Sequence, residues 1–122
     1  MKDKISKMNL HPYSLEEVWT EDVGYVKEEA LLLLDFLHAE VLPVLGGEVF
    51  FLKDGHVEFS QYVYEGWSCN RMEHETLSDY VHRSYLKAKD FITHYKAKEN
   101  IPLFCIAYCD DIYKLINEEW DQ

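Results

Sequence analysis

Apolar and polar positions change period several times along the chain, and each change marks an element. In "YVKEEALLLLDFLHAEV", Val26, Ala30, Leu33, Leu34 and Leu37 recur at intervals of three and four, the spacing of an amphipathic helix, expected from about residue 27 to 40. Glu28 and Glu29 stand early, at the positive end of the helix dipole, and Pro43 closes the segment. A longer helix is expected from about Thr76 to Ala97, with Leu77, Val81, Ser84, Ala88, Phe91, Ile92 and Tyr95 on one face. Thr76 or Ser78 caps it, and the small Ser84 and Ala88 let that face sit close to a sheet. Ser14 with Glu17 three residues on has the form of a capping box. It predicts one or two helical turns over "SLEEVW", with Leu15, Val18 and Trp19 on one side and Gly24 as the break.

The strand pattern begins after Gly46–Gly47. "EVFFLK", Asp54–Gly55 and "HVEFSQYVY" read as a hairpin on a two-residue turn, since Asp-Gly suits the left-handed backbone of a type I′ turn. That turn sets Lys53 against His56, Leu52 against Val57, Phe51 against Glu58 and Phe50 against Phe59. Phe50, Leu52, Val57 and Phe59 then share the expected core face, while Phe51, Lys53, His56 and Glu58 share a more polar one. Gly46–Gly47 is expected to be the corner between the helix exit and the first strand, and a short strand is expected around Trp67. "IPLFCIAYC" is apolar at every position after Pro102, the pattern of a central strand covered on both faces. The tail "DDIYKLINEEW" carries Ile112, Leu115, Ile116 and Trp120 at helical spacing and predicts a short helix over 110–120. Residues 1–12 are polar and expected to be a mobile lead-in. The expectation is a single α+β domain over 1–122: a small, largely antiparallel sheet with a central hairpin, packed against two main helices.

Composition narrows the function more than the fold. The 122 residues are 48% hydrophobic and 15% aromatic, enough for a core, and the net charge is −11. Such a charge disfavours nucleic acid and anionic membranes and favours basic partners. Three cysteines without framework spacing, Cys69, Cys105 and Cys109, argue for reduced thiols in the cytoplasm. The charged start "MKDKISKMNLHPYS" has no apolar centre of the kind a signal peptide needs, and the run Leu31 to Leu34 is too short to span a bilayer.

Chemistry is sparse. A phosphate loop needs GxxxxGK[ST], or GxGxxG before a helix; here two glycines precede a strand, no Lys-Ser or Lys-Thr follows, and Glu48 repels an anion. Cys105 and Cys109 on one strand stand about 13 Å apart at roughly 3.3 Å per residue, too far for one metal ion. His74, His82 and His94 are eight and twelve apart, and buried thiols as small hydrophobes are the simpler reading. Cys69 in "GWSCN" is the one nucleophile to weigh, but it stands in no catalytic motif, and no serine sits in a nucleophile elbow. No catalytic residue, metal ligand or cofactor is therefore assigned. What remains is surface. Nine tyrosines and three tryptophans are many for this length, and "QYVYEGW" sets Tyr62, Tyr64 and Trp67 beside Glu58 and Glu65.

Taken in order, "LPVLGGEVFFLKDGHVEFS", "GWSC", "YVHRSYLKAKDFITHY" and "IPLFCIAY" resemble the immunity protein 40 family of bacterial polymorphic toxin systems. The resemblance rests on Leu45–Gly46–Gly47 with an acidic residue and a strand, Trp67 and Cys69, Ser84 with Ala88, Tyr95, and Pro102 before the last strand, over roughly residues 15 to 108. It implies a cytoplasmic, non-catalytic protein that binds and neutralises a cognate toxin domain. A basic toxin would be drawn to an acidic surface. Glu58, Tyr62, Tyr64 and Glu65, with Asp110 and Asp111 as a second patch, are the expected contacts. Gly46, Gly47, Asp54, Gly55, Trp67, Cys69, Ser84 and Pro102 are expected to be structural. Phe51 on a polar face and an open sheet edge allow a homodimer. The other class of function that fits is a non-enzymatic adaptor for a basic protein. A toxin gene directly upstream discriminates the two.

Overall fold

The structure is a computed structural model that describes residues 2–59, 65–97 and 100–109. The C-terminal helix expected over 110–120 lies outside the described residues. In chain order the elements are helix α1 (Lys2–Ser6), strand β1 (Tyr13–Ser14), a 3₁₀ turn (Glu16–Val18), β2 (Val23–Gly24), helix α2 (Lys27–Ala39), β3 (Val44–Lys53), β4 (His56–Glu58), β5 (Gly66–Ser68), helix α3 (Leu77–His94) and β6 (Ile101–Tyr108). All strand pairings are antiparallel. The fold is α+β, as the periodicities predict.

Strand β3 is the hub. One of its edges pairs with β6 from Val44 to Leu52. Its other edge pairs with β5 at Gly46–Glu48 and with β4 at Phe51–Lys53. Two expectations are corrected by this. Gly46–Gly47 is not a corner before a strand but the interior of the central strand. And "IPLFCIAY" is not the central strand but its long neighbour, paired on the far side, among the described residues, by the Tyr25–Phe104 bridge. It is covered on both faces all the same: Leu103 and Phe104, consecutive and so on opposite faces, are both fully buried.

Two cores result. On one face α2 and α3 cover Val44, Val49, Trp67, Phe104 and Ile106. On the other, Leu15 and Val18 cover Phe50, Val57 and Leu103. The hairpin register is as expected, with Asp54 and Gly55 at φ 51° and 81°. The face assignment is half right. Phe50 and Val57 are buried, but in the smaller core, and Phe59 is 57% exposed. Phe51, expected on a polar face, packs against the helix-side core beside Tyr95. It is not the exposed apolar residue that the homodimer expectation used.

The helices follow their sequence signals closely. Thr76 caps α3, its side chain accepting from the Asp79 N–H at 3.1 Å, and the helix ends at His94, three residues short of Ala97. Ser84 and Ala88 are fully buried on its sheet-facing side. The Ser84 hydroxyl accepts from Val44 N–H at 3.0 Å and donates to the Val81 carbonyl at 3.1 Å. Val44 sits where the β3–β6 register slips, so the hydroxyl satisfies a backbone donor at the start of an irregular strand. "SLEEVW" makes a single 3₁₀ turn, Glu16–Val18, without the expected Ser14 cap. Ser14 joins β1 and Trp19 adopts a left-handed backbone, φ 67°, which stops the turn after Val18. Leu15 and Val18 are buried, but Trp19 is 92% exposed. At the other end, Ile5 and Leu10 pack against the main core and Lys4 pairs with Glu40 at 3.3 Å.

The exit from α2 is strained. Val41 N–H bonds to the His38 carbonyl and Leu42 N–H to the Leu37 carbonyl, the pattern of a helix end that puts Val41 in the left-handed region at φ 58°. Glycine is the usual residue there, and a β-branched side chain is among the worst. Val41 is 45% exposed, so little packing is lost on truncation. Val41→Gly is expected to stabilise the protein by about 1 kcal/mol, read as a raised urea midpoint at unchanged slope.

Candidate functional site

Two regions draw the sequence motifs together, and they differ in kind. The first is built on Gly47, Trp67 and Cys69. By register Gly47 stands opposite Trp67 and Ile106 on the helix side of the sheet. The Trp67 ring occupies the space that a Gly47 side chain would take, and stacks on Phe91 at 4.7 Å between centroids. Its Nε1–H is buried and has no partner among the described residues.

Two residues on, Cys69 is 2% exposed. Its N–H bonds to the Leu45 carbonyl at 2.9 Å, its carbonyl accepts the Tyr80 hydroxyl at 2.6 Å, and its sulfur accepts from Arg83 Nη1 at 3.2 Å. Arg83 also donates to the Asn70 carbonyl at 2.6 Å and holds Glu75 by two bonds of 2.7 and 2.8 Å. Bonded so, the Glu75 carboxyl is held down at about 2. These contacts clasp the 69–75 loop to α3. Cys69 is thus a buried acceptor in a structural clamp. Nothing in the sequence singles out Arg83 or Glu75; only the turn of α3 that faces the loop brings them together.

The second region is the outer face of the sheet. The small outer core covers only part of it. Along β6 the outward residues run Leu103, Cys105, Ala107: fully buried, half-buried, exposed. Opposite them on β3 stand Phe50, Glu48 and Gly46, and on β5 Gly66 and Ser68. Apart from Glu48, and Leu45 at the bulge, the residues facing outward past Phe50 are small, so the sheet surface sinks there. A concavity of about 380 Å³ follows, walled by Val18, Thr20 and Asp22 on one side and Phe59 on the other.

Its electrostatics are one-signed. Asp22 and Glu48 line it, with no lysine, arginine or histidine among the described residues there. Burial, with Asp22 and Glu48 adding to it, pushes the Cys105 thiol up to about 12, so it is neutral at ordinary pH. The Asp22 carboxylate accepts from Thr20 at 3.1 Å, and Glu48 is exposed with no ion pair among the described residues.

Of the contact residues expected from the sequence, Glu58 and Glu65 are among the described residues. Glu58 lies at the end of β4, half-buried, paired with Phe51 on the helix side of the sheet. Glu65 accepts the Tyr95 hydroxyl, and burial together with that bond raises the phenol above its usual range. Tyr62, Tyr64, Asp110 and Asp111 lie outside the described residues. Asp22 and Trp19, which sequence reasoning passed over, carry a signal in retrospect: "EEVWTED" places four acids around one tryptophan. Among the described residues no group of three or more His, Cys, Asp and Glu can hold a metal ion, and no helix is long and apolar enough to cross a membrane.

No curated protein and no solved structure matches the chain. The family model for immunity protein 40 matches residues 14–108, from the second residue of β1 to the last of β6. That stretch holds both cores, the glycine–tryptophan contact and the open outer face, and on it the chain belongs to the immunity protein 40 family.

Proposed function

We propose that the chain binds a cognate bacterial toxin domain in the cytoplasm and neutralises it as a folded inhibitor, without catalysing a reaction. The observation that carries this reading is the family match across 14–108, nearly all of the described fold. Three features support it. Cys69, the one nucleophile the sequence offered, is buried and its sulfur is engaged by Arg83. The chain carries a net charge of −11, which speeds association with a basic partner. Its outer face holds the carboxylates Asp22 and Glu48 beside the exposed Phe59 and Leu45, a surface complementary to a basic partner with apolar groups. Glu58, Tyr62, Tyr64, Glu65, Asp110 and Asp111 are kept as proposed toxin contacts; of these Glu58 lies on the helix side of the sheet and the Glu65 carboxylate is already bonded to Tyr95.

The test is co-expression with the toxin domain encoded beside it. Growth should be arrested by the toxin alone and restored by the pair, and the two proteins should copurify as one complex. Continued arrest with both proteins soluble would remove this reading.

A further inference from the structure

The sheet's outer face is closed at one end and open at the other, and the open end has the make-up of a receptor. Asp22 and Glu48 reach it from different elements, the loop after the 3₁₀ turn and the middle of the central strand. Neither has a cation of its own among the described residues, and both act on the same thiol, Cys105. The floor beside them is small and apolar, and Phe59 and Leu45, 57% and 39% exposed, stand at its edge. Two carboxylates against low-dielectric walls attract a positive side chain more strongly than free surface acids do. Arginine fits best, because its planar fork meets two carboxylates while its face lies on apolar surface.

A second observation comes from the wall. The loop from Val18 to Asp22 carries Trp19, 92% exposed in a left-handed backbone. A large aromatic gains nothing inside this fold from that position. Its neighbours in sequence are Glu16, Glu17, Glu21 and Asp22, so it is an apolar anchor ringed by acids. Tryptophan is the residue most enriched among the few that dominate binding energy at interfaces.

Resting on the immunity reading above, we propose that this open end of the outer sheet face is where the toxin domain docks: a basic side chain of the toxin enters between Glu48 and Asp22, and Trp19 packs on the toxin beside it. The surface on the toxin must then be basic with an apolar recess. Nothing on the chain side has to move.

The experiment uses the full chain and an inactive variant of the toxin domain. Binding is measured for wild type, Trp19→Ala, Asp22→Lys, Glu48→Lys and the milder Glu48→Gln, with melting curves to show that each is folded. Each charge reversal should weaken binding about tenfold or more, with Glu48→Gln between it and wild type, and the wild-type on-rate should fall as salt is raised. Trp19→Ala should lose about tenfold or more through faster dissociation. As a footprint, Ala107→Cys places an exposed thiol on the floor, and its alkylation should slow at least about tenfold in the complex if an interface covers it. If the complex forms but Ala107→Cys reacts at its free rate and the charge variants bind like wild type, this surface is wrong while the immunity reading stands. If no complex forms with wild type, both fall. Protection that grows with concentration of the chain alone assigns the face to a second copy and overturns the proposal.

Discussion

Gly47→Val is expected to keep the chain from its native state, and Gly47→Ala to leave it severely destabilised. A Cβ at residue 47 falls among the Trp67 ring atoms, 2.5 Å from Cζ3, and 2.6 Å from the Cys105 carbonyl oxygen. The ring can in principle swing away. The carbonyl cannot, because it belongs to β6, paired with the central strand along its length. Overpacking a core costs typically about 1–3 kcal/mol, and more when backbone is the obstacle. Against a total stability of about 5–15 kcal/mol, two such collisions in the hub strand remove a large share, and all of it for a protein at the low end. The measurement is soluble yield, then thermal melting by circular dichroism. A Gly47→Val protein that melts like wild type would contradict the placement of the tryptophan. A double-mutant cycle sharpens the test: Trp67→Ala should cost less in the Gly47→Ala background than in wild type, because the ring is already displaced there.

Arg83→Ala should cost about 2–3 kcal/mol, since it leaves the Glu75 carboxylate, 10% exposed, with the Met72 N–H at 2.9 Å as a remaining donor, and strips the Asn70 carbonyl and Cys69 sulfur of their Arg83 donor. Arg83→Lys should restore little of this, because one ammonium cannot span Glu75 and the loop together. The same pair sets a pH dependence. Glu75 is held at about 2 in the folded state, below the ordinary carboxylate value of 4.5. A depressed folded value means the unfolded chain binds the proton more tightly, so stability rises with pH. The contribution is complete above about pH 4.5 and is lost as pH falls from there to about 2. Denaturant titrations across that window should show the loss in wild type and a shallower one in Glu75→Gln. Equal slopes in the two proteins would mean that the clamp does not carry the acid sensitivity.

How much of this was legible depended on whether the signal was local. Asp54–Gly55 determines its own backbone, so turn and register could be read directly. The 3.6-residue period of α2 and α3 likewise needs no partner. Gly46–Gly47 misled because glycine reads as a break, while the reason for it here is a ring arriving from residue 67. Phe51 misled because alternation gives two faces but not which face the helices take, and this sheet is covered on both. Helical spacing groups Trp19 with Leu15 and Val18, but its left-handed backbone ends the turn and Trp19 is exposed. The acidic, aromatic character of the surface was visible in composition. Its location was not, since Asp22 and Glu48 are brought together only by the loop lying over β3 and β6.

The pairing of β3 with β6 also governs when the protein can exist at all. Val44 waits for Tyr108, and Leu52 for Ile101, so the sheet's longest seam joins segments about half the chain apart. Such distant pairings close late and slow folding. During synthesis the hairpin and α2 can form early, but the long edge of the hub strand stays bare until the last described strand has emerged. A bare strand edge invites other chains. A protein truncated before Ile101 is therefore expected to aggregate rather than to persist as a weaker binder, and the onset of binding after synthesis is set by how quickly this last seam closes.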